Sequence, residues 1–214
     1  MPKSFRAAIF DMDGTLLDSM GEWRKLNQAF VVSHGIEPTP EENSAMYSMS
    51  GAMVVGYVKE HFGIEVSFSE LLARSQEEMG KVYRAGVPLK PGARAYLRRL
   101  RARGVKCVIA TATHAELALT ALNQAGLVSE LDYIFSTDMV GGSKGDPAFY
   151  DALCGLIGEK KEDCVMYEDA LYAMQGARSA GLGVIAISDG TNEADRDKIL
   201  AVCDRMIDSF DELE

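Results

Sequence analysis

The chain has 214 residues, of which 47% are hydrophobic and 25% charged; this composition is typical of a soluble globular protein with one domain, or one domain carrying a smaller insertion. Its formal net charge of -10 argues against a nucleic-acid partner and against docking to anionic lipid, because both attract basic surfaces. The sequence has no apolar run long enough to span a bilayer, and its four cysteines show no C-x-x-C spacing. We therefore expect a cytoplasmic protein with reduced cysteines, and a monomer as the default state.

The first predicted element is a short apolar strand over residues 7–10, followed at once by the loop D-M-D-G-T at residues 11–15. Helices are predicted after this loop, and three of them begin with an S/T-x-x-E capping box, at Ser19, Thr39 and Ser67. A further helix is predicted over residues 51–61. The stretch shows no convincing strand pattern, so residues 18–87 are predicted to form a helical cap domain.

Beyond residue 91, predicted strands and helices alternate. The strands cover residues 105–110, 133–135, 164–167 and 184–187. The helices cover residues 92–103, 113–124, a segment from residue 146, 171–180 and 192–202. Alternation of this regularity indicates an α/β fold, with a doubly wound, Rossmann-like parallel sheet covered by helices on both faces. The sheet domain is predicted to comprise residues 1–17 and 88–214, with the helical cap inserted after its first strand.

Polar side chains follow four of the predicted strands, at the edge where such sheets bind ligands. They are two acids after the first strand, a hydroxyl after the second, a lysine in the loop after the third and two acids after the fourth: Asp11, Asp13, Thr111, Lys144, Glu168 and Asp169. Several carboxylates at one point need a cation, and hard oxygen ligands suit Mg²⁺. Like unit charges about 4 Å apart repel by roughly 4 kcal/mol at an effective dielectric near 20, so an approaching phosphate ester also needs positive charge. The arrangement predicts metal-assisted phosphoryl transfer.

Each of these residues also has an ordinary structural interpretation. D-x-D-G is common in turns, and acids such as those at 168–169 are favoured in the first turn of a helix. Thr113 fits a helix N-cap. The histidines at 34, 61 and 114 have no partner at ligand spacing and are interpreted as structural or surface residues. The functional interpretation therefore depends on the joint pattern.

This joint pattern resembles the haloacid dehalogenase superfamily of phosphohydrolases, and the resemblance covers essentially the whole chain. Residues 11–15 are similar to its D-x-D-G-T motif, and residues 109–111 to its second motif, an apolar strand ending in Ser or Thr. Residues 144–147, K-G-D-P, are similar to the third motif, usually K-P-x-P, from which the glycine departs. Residues 168–169 are similar to the acidic fourth motif. The resemblance implies Mg²⁺ as the cofactor.

The resemblance also implies a role for each site residue. Asp11 is expected to be the nucleophile that forms an aspartyl-phosphate, and Asp13 the acid for the leaving group and then the base for water. Thr111 and Lys144 are expected to be catalytic as well, because they hold the phosphate. The phosphate-binding residues are expected to be Met12, Gly14, Thr111, Ala112 and Lys144. The metal ligands are expected to be Asp11, Asp13 through its carbonyl, Asp169 and, either directly or through another ligand, Glu168.

The predicted insertion resembles the small cap of the subfamily that contains β-phosphoglucomutase, sugar-phosphate phosphatases and phosphoglycolate phosphatase, where the cap selects the substrate. Mutases of this subfamily carry a cap histidine, arginine and lysine that grip a second phosphate. By ungapped placement, these positions hold Trp23, Gly51-Ala52 and about Ser75. A Mg²⁺-dependent phosphatase of a small phosphorylated metabolite, such as a sugar phosphate, is therefore favoured. A mutase is the alternative, because Lys59 or Arg74 could replace the missing cations.

Trp23 is the cap residue most favoured as a substrate contact, because it lies about one helical turn beyond the catalytic loop. The other large apolar residues of the cap are interpreted mostly as helical core: Met20, Met46, Met49, Met53 and Tyr57. A non-catalytic protein that binds a phosphometabolite is the least favoured interpretation, because such a protein would be expected to lack Asp11 or Asp13.

Overall fold

The computed structural model describes residues 5–46, 49 and 51–213 of the chain. The strands of this part are β1 (Ala7–Phe10), β2 (Lys106–Thr111), β3 (Tyr133–Ser136), β4 (Cys164–Glu168), β5 (Gly183–Ile187) and β6 (Arg205–Ile207). They form one sheet in the order β3-β2-β1-β4-β5-β6, and every neighbouring pair is parallel. The predicted α/β, doubly wound fold class is confirmed.

The helices of the described residues fall into two groups. Between β1 and β2, the first group consists of α1 (Met20–Val32), α2 (Pro40–Ala45), α3 (Gly51–Phe62), α4 (Phe68–Ala85) and α5 (Ala93–Ala102). The second group alternates with the later strands and consists of α6 (Ala115–Gln124), α7 (Thr137–Val140), α8 (Pro147–Ile157), α9 (Leu171–Ala180) and α10 (Arg196–Val202). None of the helices described here is long and apolar enough to cross a membrane.

The sheet buries apolar side chains on both faces, because successive residues of a strand point to opposite sides. In β1, Ala8 and Phe10 belong to the cluster that includes α5 and α6, whereas Ala7 and Ile9 belong to the cluster that includes α8 and α9. Since helices cover both faces, polar side chains can meet at the edge formed by the carboxyl ends of the strands.

Two short elements, β6 and α7, have no counterpart among the predicted ones. β6 has three residues, lies at the edge of the sheet and leaves Arg205 exposed, so it lacks an apolar run. α7 is a single helical turn of four residues. Neither segment is long enough to carry the periodicity from which secondary structure is predicted.

The block between β1 and α5 is helical, as predicted, and α1–α4 carry a hydrophobic cluster of their own. This distal cluster consists of Phe30, Val31, Met46, Val54, Val58, Ile64 and Leu71. The base of the same helices belongs to the main core, because Leu26, Met79 and Tyr83 are buried in the cluster of α5 and α6. The exact domain boundaries, residues 1–17 and 88–214 against 18–87, therefore stay a prediction.

Two adjacent linkers connect these helices to the sheet. The Asp18 N–H donates to the Pro88 carbonyl (2.8 Å), and the Lys90 N–H donates to the Leu16 carbonyl (2.9 Å). Between these bonds, Leu17 forms an antiparallel bridge with residue 89. The chain thus leaves and re-enters the sheet layer through one short hydrogen-bonded ribbon.

Candidate active site

The predicted site residues meet at the carboxyl ends of the central strands. β1 lies between β2 and β4, so the ends of these three strands are neighbours. They bring together Asp11, Thr111, Glu168 and Asp169, and the loop before α8 adds Lys144. All five residues are buried, each at most 5% exposed. The sheet order therefore explains why motifs that lie far apart in sequence form one site.

Lys144 joins two of the acids. Its ammonium donates to Asp11 Oδ1, to Glu168 Oε2 (2.8 Å) and to the carbonyl of Ala110 (3.3 Å). Burial lowers the pKa of this ammonium, but Asp11 and Glu168 outweigh burial and raise it well above its ordinary value. Lys144 is therefore a fixed positive charge in the site.

The main chain at Lys144 lies unusually close to α9. A Cβ placed on Gly176 would be 2.1 Å from the Lys144 carbonyl oxygen, so only glycine allows this approach. Gly145, the residue that departs from the third motif, lies beside Tyr172: a Cβ built on Gly145 would be 3.3 Å from Cδ2 of the Tyr172 ring. Gly176 could not be recognised from sequence as a supporting residue, because the contact joins segments more than thirty residues apart.

The buried acids carry more negative charge than Lys144 balances. Burial, opposed by Lys144, raises the pKa of Asp11 from 3.8 to about 8. Burial and the neighbouring Glu168 and Asp11 carboxylates raise the pKa of Asp169 well above its ordinary value. Both shifts mean that the ionised forms lack positive charge nearby. A cation bound here would supply it.

The donor set fits a hard divalent cation. Asp11, Glu168 and Asp169 each offer a carboxylate oxygen, and these atoms lie within 4.8 Å of one another. Asp169 is oriented by the Thr15 hydroxyl, which donates to its Oδ1 (3.1 Å). Glu168 Oε1 accepts the main-chain N–H groups of Asp169 (3.1 Å) and Ala170 (3.0 Å). The carboxylate of Asp13 lies outside this group, but its main-chain carbonyl accepts no hydrogen bond from the described residues.

The carboxylate of Asp13 is held by three hydroxyl groups from three segments. Ser19 Oγ and the phenol of Tyr83 donate to Oδ1 (2.6 and 2.7 Å), and Thr113 Oγ1 donates to Oδ2 (2.7 Å). Tyr83 lies on α4, so the base of the insertion contacts Asp13 directly. Burial and the nearby Asp13 raise the pKa of the Tyr83 phenol, which stays a donor.

These contacts correct two predictions. The Ser19 side chain makes no capping hydrogen bond at α1, and the N-cap of α6 is His114 rather than Thr113. Both hydroxyls instead donate to the Asp13 carboxylate. The capping boxes predicted at Thr39 and Ser67 are confirmed.

The main-chain groups expected to hold phosphate divide into two kinds. The N–H groups of Met12 and Ala112 donate to none of the described residues, so they are available to a ligand. The Gly14 N–H donates to the Leu17 carbonyl (2.8 Å), so phosphate binding by Gly14 stays a prediction. Gly14 also shapes the loop: its φ of +81° turns the chain, and a Cβ there would lie 2.3 Å from Asp169 Oδ2.

A cavity of about 170 Å³ lies between the strand ends and the insertion. Trp23 lines it, as expected, and Met20 and Met49 also line it instead of packing only in a helical core. His114 lines the cavity as well, and its interpretation as a structural or surface residue stays a prediction. Of the remaining predicted core residues, Met46 is buried in the distal cluster, whereas Met53 is 46% exposed.

Comparison with known families agrees with this site. Residues 5–181 match the model of a family described as haloacid dehalogenase-like hydrolase. The chain is 26% identical over 189 residues to a phosphorylated carbohydrates phosphatase of Thermotoga maritima, covering 86% of this chain and 88% of that one. It is 27% identical over 216 residues to a phosphoglycolate phosphatase of Nitrosospira multiformis, covering 98% and 94%.

Solved structures show the same fold. CbbY from Rhodobacter sphaeroides, crystallised in complex with phosphate, superposes with a TM-score of 0.84 at 22% identity and covers 98% of this chain and 96% of its own. β-Phosphoglucomutase from Clostridium difficile superposes with a TM-score of 0.79 at 18% identity, covering 98% and 93%.

Proposed function

The chain belongs to the haloacid dehalogenase-like hydrolases, and on that premise we propose that it hydrolyses a phosphate monoester of a small metabolite with Mg²⁺ as the cofactor. The observation that supports this most strongly is the buried group of Asp11, Glu168 and Asp169, whose negative charge exceeds what Lys144 balances. It lies beside the main-chain N–H groups of Met12 and Ala112, which donate to none of the described residues. A divalent cation would supply positive charge to the carboxylates, and a phosphate would accept hydrogen bonds from the N–H groups.

The first half of the reaction transfers the phosphoryl group to the protein. Asp11, oriented by Lys144, attacks phosphorus while the bond from phosphorus to the ester oxygen breaks. Asp13 gives a proton to the departing oxygen, which leaves as an alcohol. Thr111 and the main-chain N–H groups of Met12 and Ala112 hold the phosphoryl oxygens.

The second half releases phosphate. Asp13, now ionised, takes a proton from a water molecule, and the water oxygen attacks phosphorus as the bond to the Asp11 carboxylate breaks. Asp11, Asp169, the Asp13 carbonyl and Glu168 would hold Mg²⁺, which would supply positive charge that reduces repulsion between phosphate and carboxylates. Lys144 keeps the Asp11 side chain in place through both halves.

A phosphosugar mutase is supported less well than a phosphatase. A mutase needs cations in the insertion to grip a second phosphate, and Lys59 and Arg74 are the candidates. Lys59 pairs with Glu65 (3.0 Å), and Arg74 donates to Ser33 Oγ (3.2 Å), and neither lines the cavity. We also propose a cytoplasmic location, because all four cysteines are free.

Hydrolysis of 4-nitrophenyl phosphate tests the proposal. We expect turnover with Mg²⁺, none with EDTA, and recovery when Mg²⁺ is restored. Asp11→Asn removes the nucleophile and is expected to lower kcat by at least about 10³-fold. Asp18→Asn is the matched control, because this carboxylate is 59% exposed in the linker and lies 3.4 Å from Lys90. Turnover that persists in EDTA, or in Asp11→Asn, contradicts the mechanism.

A further inference from the structure

The cavity has two unlike halves. Its floor carries the charged groups at the strand ends, whereas the wall formed by the insertion is mainly apolar. The apolar side chains of that wall are Met20, Trp23, Met49, Val54, Phe68, Leu71 and Leu72. Its polar side chains are Asn27 and Ser75, which are both uncharged.

Within the described residues, no lysine or arginine of the insertion lines the cavity. Arg74 is turned away, over the ring of Phe30 (5.4 Å) and toward the carbonyl of Ala29 (3.4 Å). Residues 47, 48 and 50, which lie outside the described part, are a tyrosine and two serines. The ammonium of Lys144, on the floor, is already held by Asp11 and Glu168. A second anionic group on a ligand would therefore meet no free cation at the wall.

The polar groups near the wall suit a neutral ligand. The Asn27 amide makes no hydrogen bond with any described residue, so it offers both a donor and an acceptor. His114 Nδ1 is buried without a partner in the described chain, while its Nε2 lies 3.7 Å from Asp138. These groups can hydrogen-bond a hydroxyl, an amide or a ring nitrogen.

We propose that the substrate's leaving group is uncharged and has an apolar face, so that the substrate carries its charge only on the phosphate that is removed. The inference rests on the proposed function and narrows its substrate class. A carboxylate or second phosphate buried against this wall would lose hydration without gaining a counter-charge. An apolar face would instead pack against Trp23 and Phe68. Phosphorylated carboxylic acids and bisphosphates are thereby disfavoured.

Two esters of nearly equal shape test this proposal. 4-Carboxyphenyl phosphate and 4-carbamoylphenyl phosphate differ in one charge on the leaving group. We expect kcat/KM of the wild-type protein to be at least about tenfold lower for the carboxylate. Leu72→Lys places a cation at the wall and is expected to shift the ratio at least about tenfold toward the carboxylate. Leu72→Gln, which adds polarity without charge, is expected to leave the ratio unchanged.

Ser75→Lys provides a second cation variant at the same wall, so the test does not depend on one substitution being tolerated. Because the kcat/KM ratio of the two esters is compared between variants, the difference in intrinsic reactivity between the esters cancels. A wild-type protein that hydrolyses both esters equally, or prefers the carboxylate, overturns the proposal, as does an unchanged ratio in both lysine variants. No hydrolysis of either ester or of 4-nitrophenyl phosphate with Mg²⁺ would instead contradict the proposed phosphatase function.

Discussion

Replacement of Gly14 by alanine tests the geometry of the site without assuming a substrate. Gly14 has a φ of +81°, in the left-handed region that side chains rarely adopt. A Cβ there would lie 2.3 Å from Asp169 Oδ2 and 2.8 Å from Met20 Cγ, whereas ordinary contacts begin at 3.4 Å. The Asp169 carboxylate must therefore move out of its position in Gly14→Ala.

Two costs follow from this displacement. The left-handed backbone costs about 1–2 kcal/mol for a residue with a Cβ. Loss of the hydrogen bond from the Thr15 hydroxyl to Asp169 costs about 1 kcal/mol more. We therefore expect the free energy of unfolding without metal to fall by roughly 2–3 kcal/mol. Because Asp169 is a proposed ligand, we expect Mg²⁺ to bind about 10- to 100-fold more weakly.

Gly35→Ala is the matched control. Gly35 has a similar φ of +76°, but a Cβ there would meet no atom within 4 Å. In Gly35→Ala, the free energy of unfolding should therefore fall only by the cost of the left-handed backbone, about 1–2 kcal/mol, and the affinity for Mg²⁺ should stay unchanged. Urea denaturation without metal gives the first quantity, and the dependence of Tm on Mg²⁺ concentration gives the second. If Gly14→Ala loses no more stability than Gly35→Ala and binds Mg²⁺ equally well, the placement of Asp169 against Gly14 is wrong.

Two further predictions concern charged groups around the site. Tyr83→Phe removes one hydrogen-bond donor to Asp13 and keeps the buried ring. In a double-mutant cycle with Asp13→Asn, measured by urea denaturation, we expect a coupling energy of about 1.5 kcal/mol between the two side chains. A coupling energy near zero contradicts the hydrogen bond. Burial opposes ionisation of Asp189, but the bond from Lys90 (2.5 Å) outweighs it and lowers the pKa of Asp189 below 3.8. Its stabilising effect is thus full above the ordinary pKa of 3.8 and is lost as pH falls through the lowered value, so Asp189→Asn should cost about 2 kcal/mol at pH 7 and less at pH 3. Equal losses at both pH values would refute this assignment.

The principal site residues could be predicted because their positions depend on strand order. Asp11 and Asp169 each follow an apolar strand and Thr111 ends one, and parallel strands bring their carboxyl ends to one edge. Lys144 could be predicted from its motif and from the charge that the acids require. The sheet could be recognised for the same reason, since its central strands are continuous apolar runs.

The contacts of Asp13 could not be predicted from local patterns. The S-x-x-E pattern at Ser19 predicts a capping hydrogen bond between residues three apart in α1. In the structure, the Ser19 hydroxyl instead donates to the Asp13 carboxylate, which lies on the preceding loop. Tyr83 is seventy positions from Asp13, and helical spacing marks it only as a buried aromatic. Gly176 has the same difficulty, because its role appears only when α9 packs against the main chain of Lys144.

The distal cluster of the insertion shares no residue with the main hydrophobic core. Val54 and Leu71 belong both to this cluster and to the cavity wall, so substitutions that reshape the wall disturb packing inside the insertion first. Trp23 also lines the wall but packs against the main core, so substitutions there are coupled to the sheet. Selection for a new substrate can therefore alter the wall at Val54 and Leu71 at the expense of the insertion's own packing, whereas a change at Trp23 also affects the folding stability of the catalytic domain.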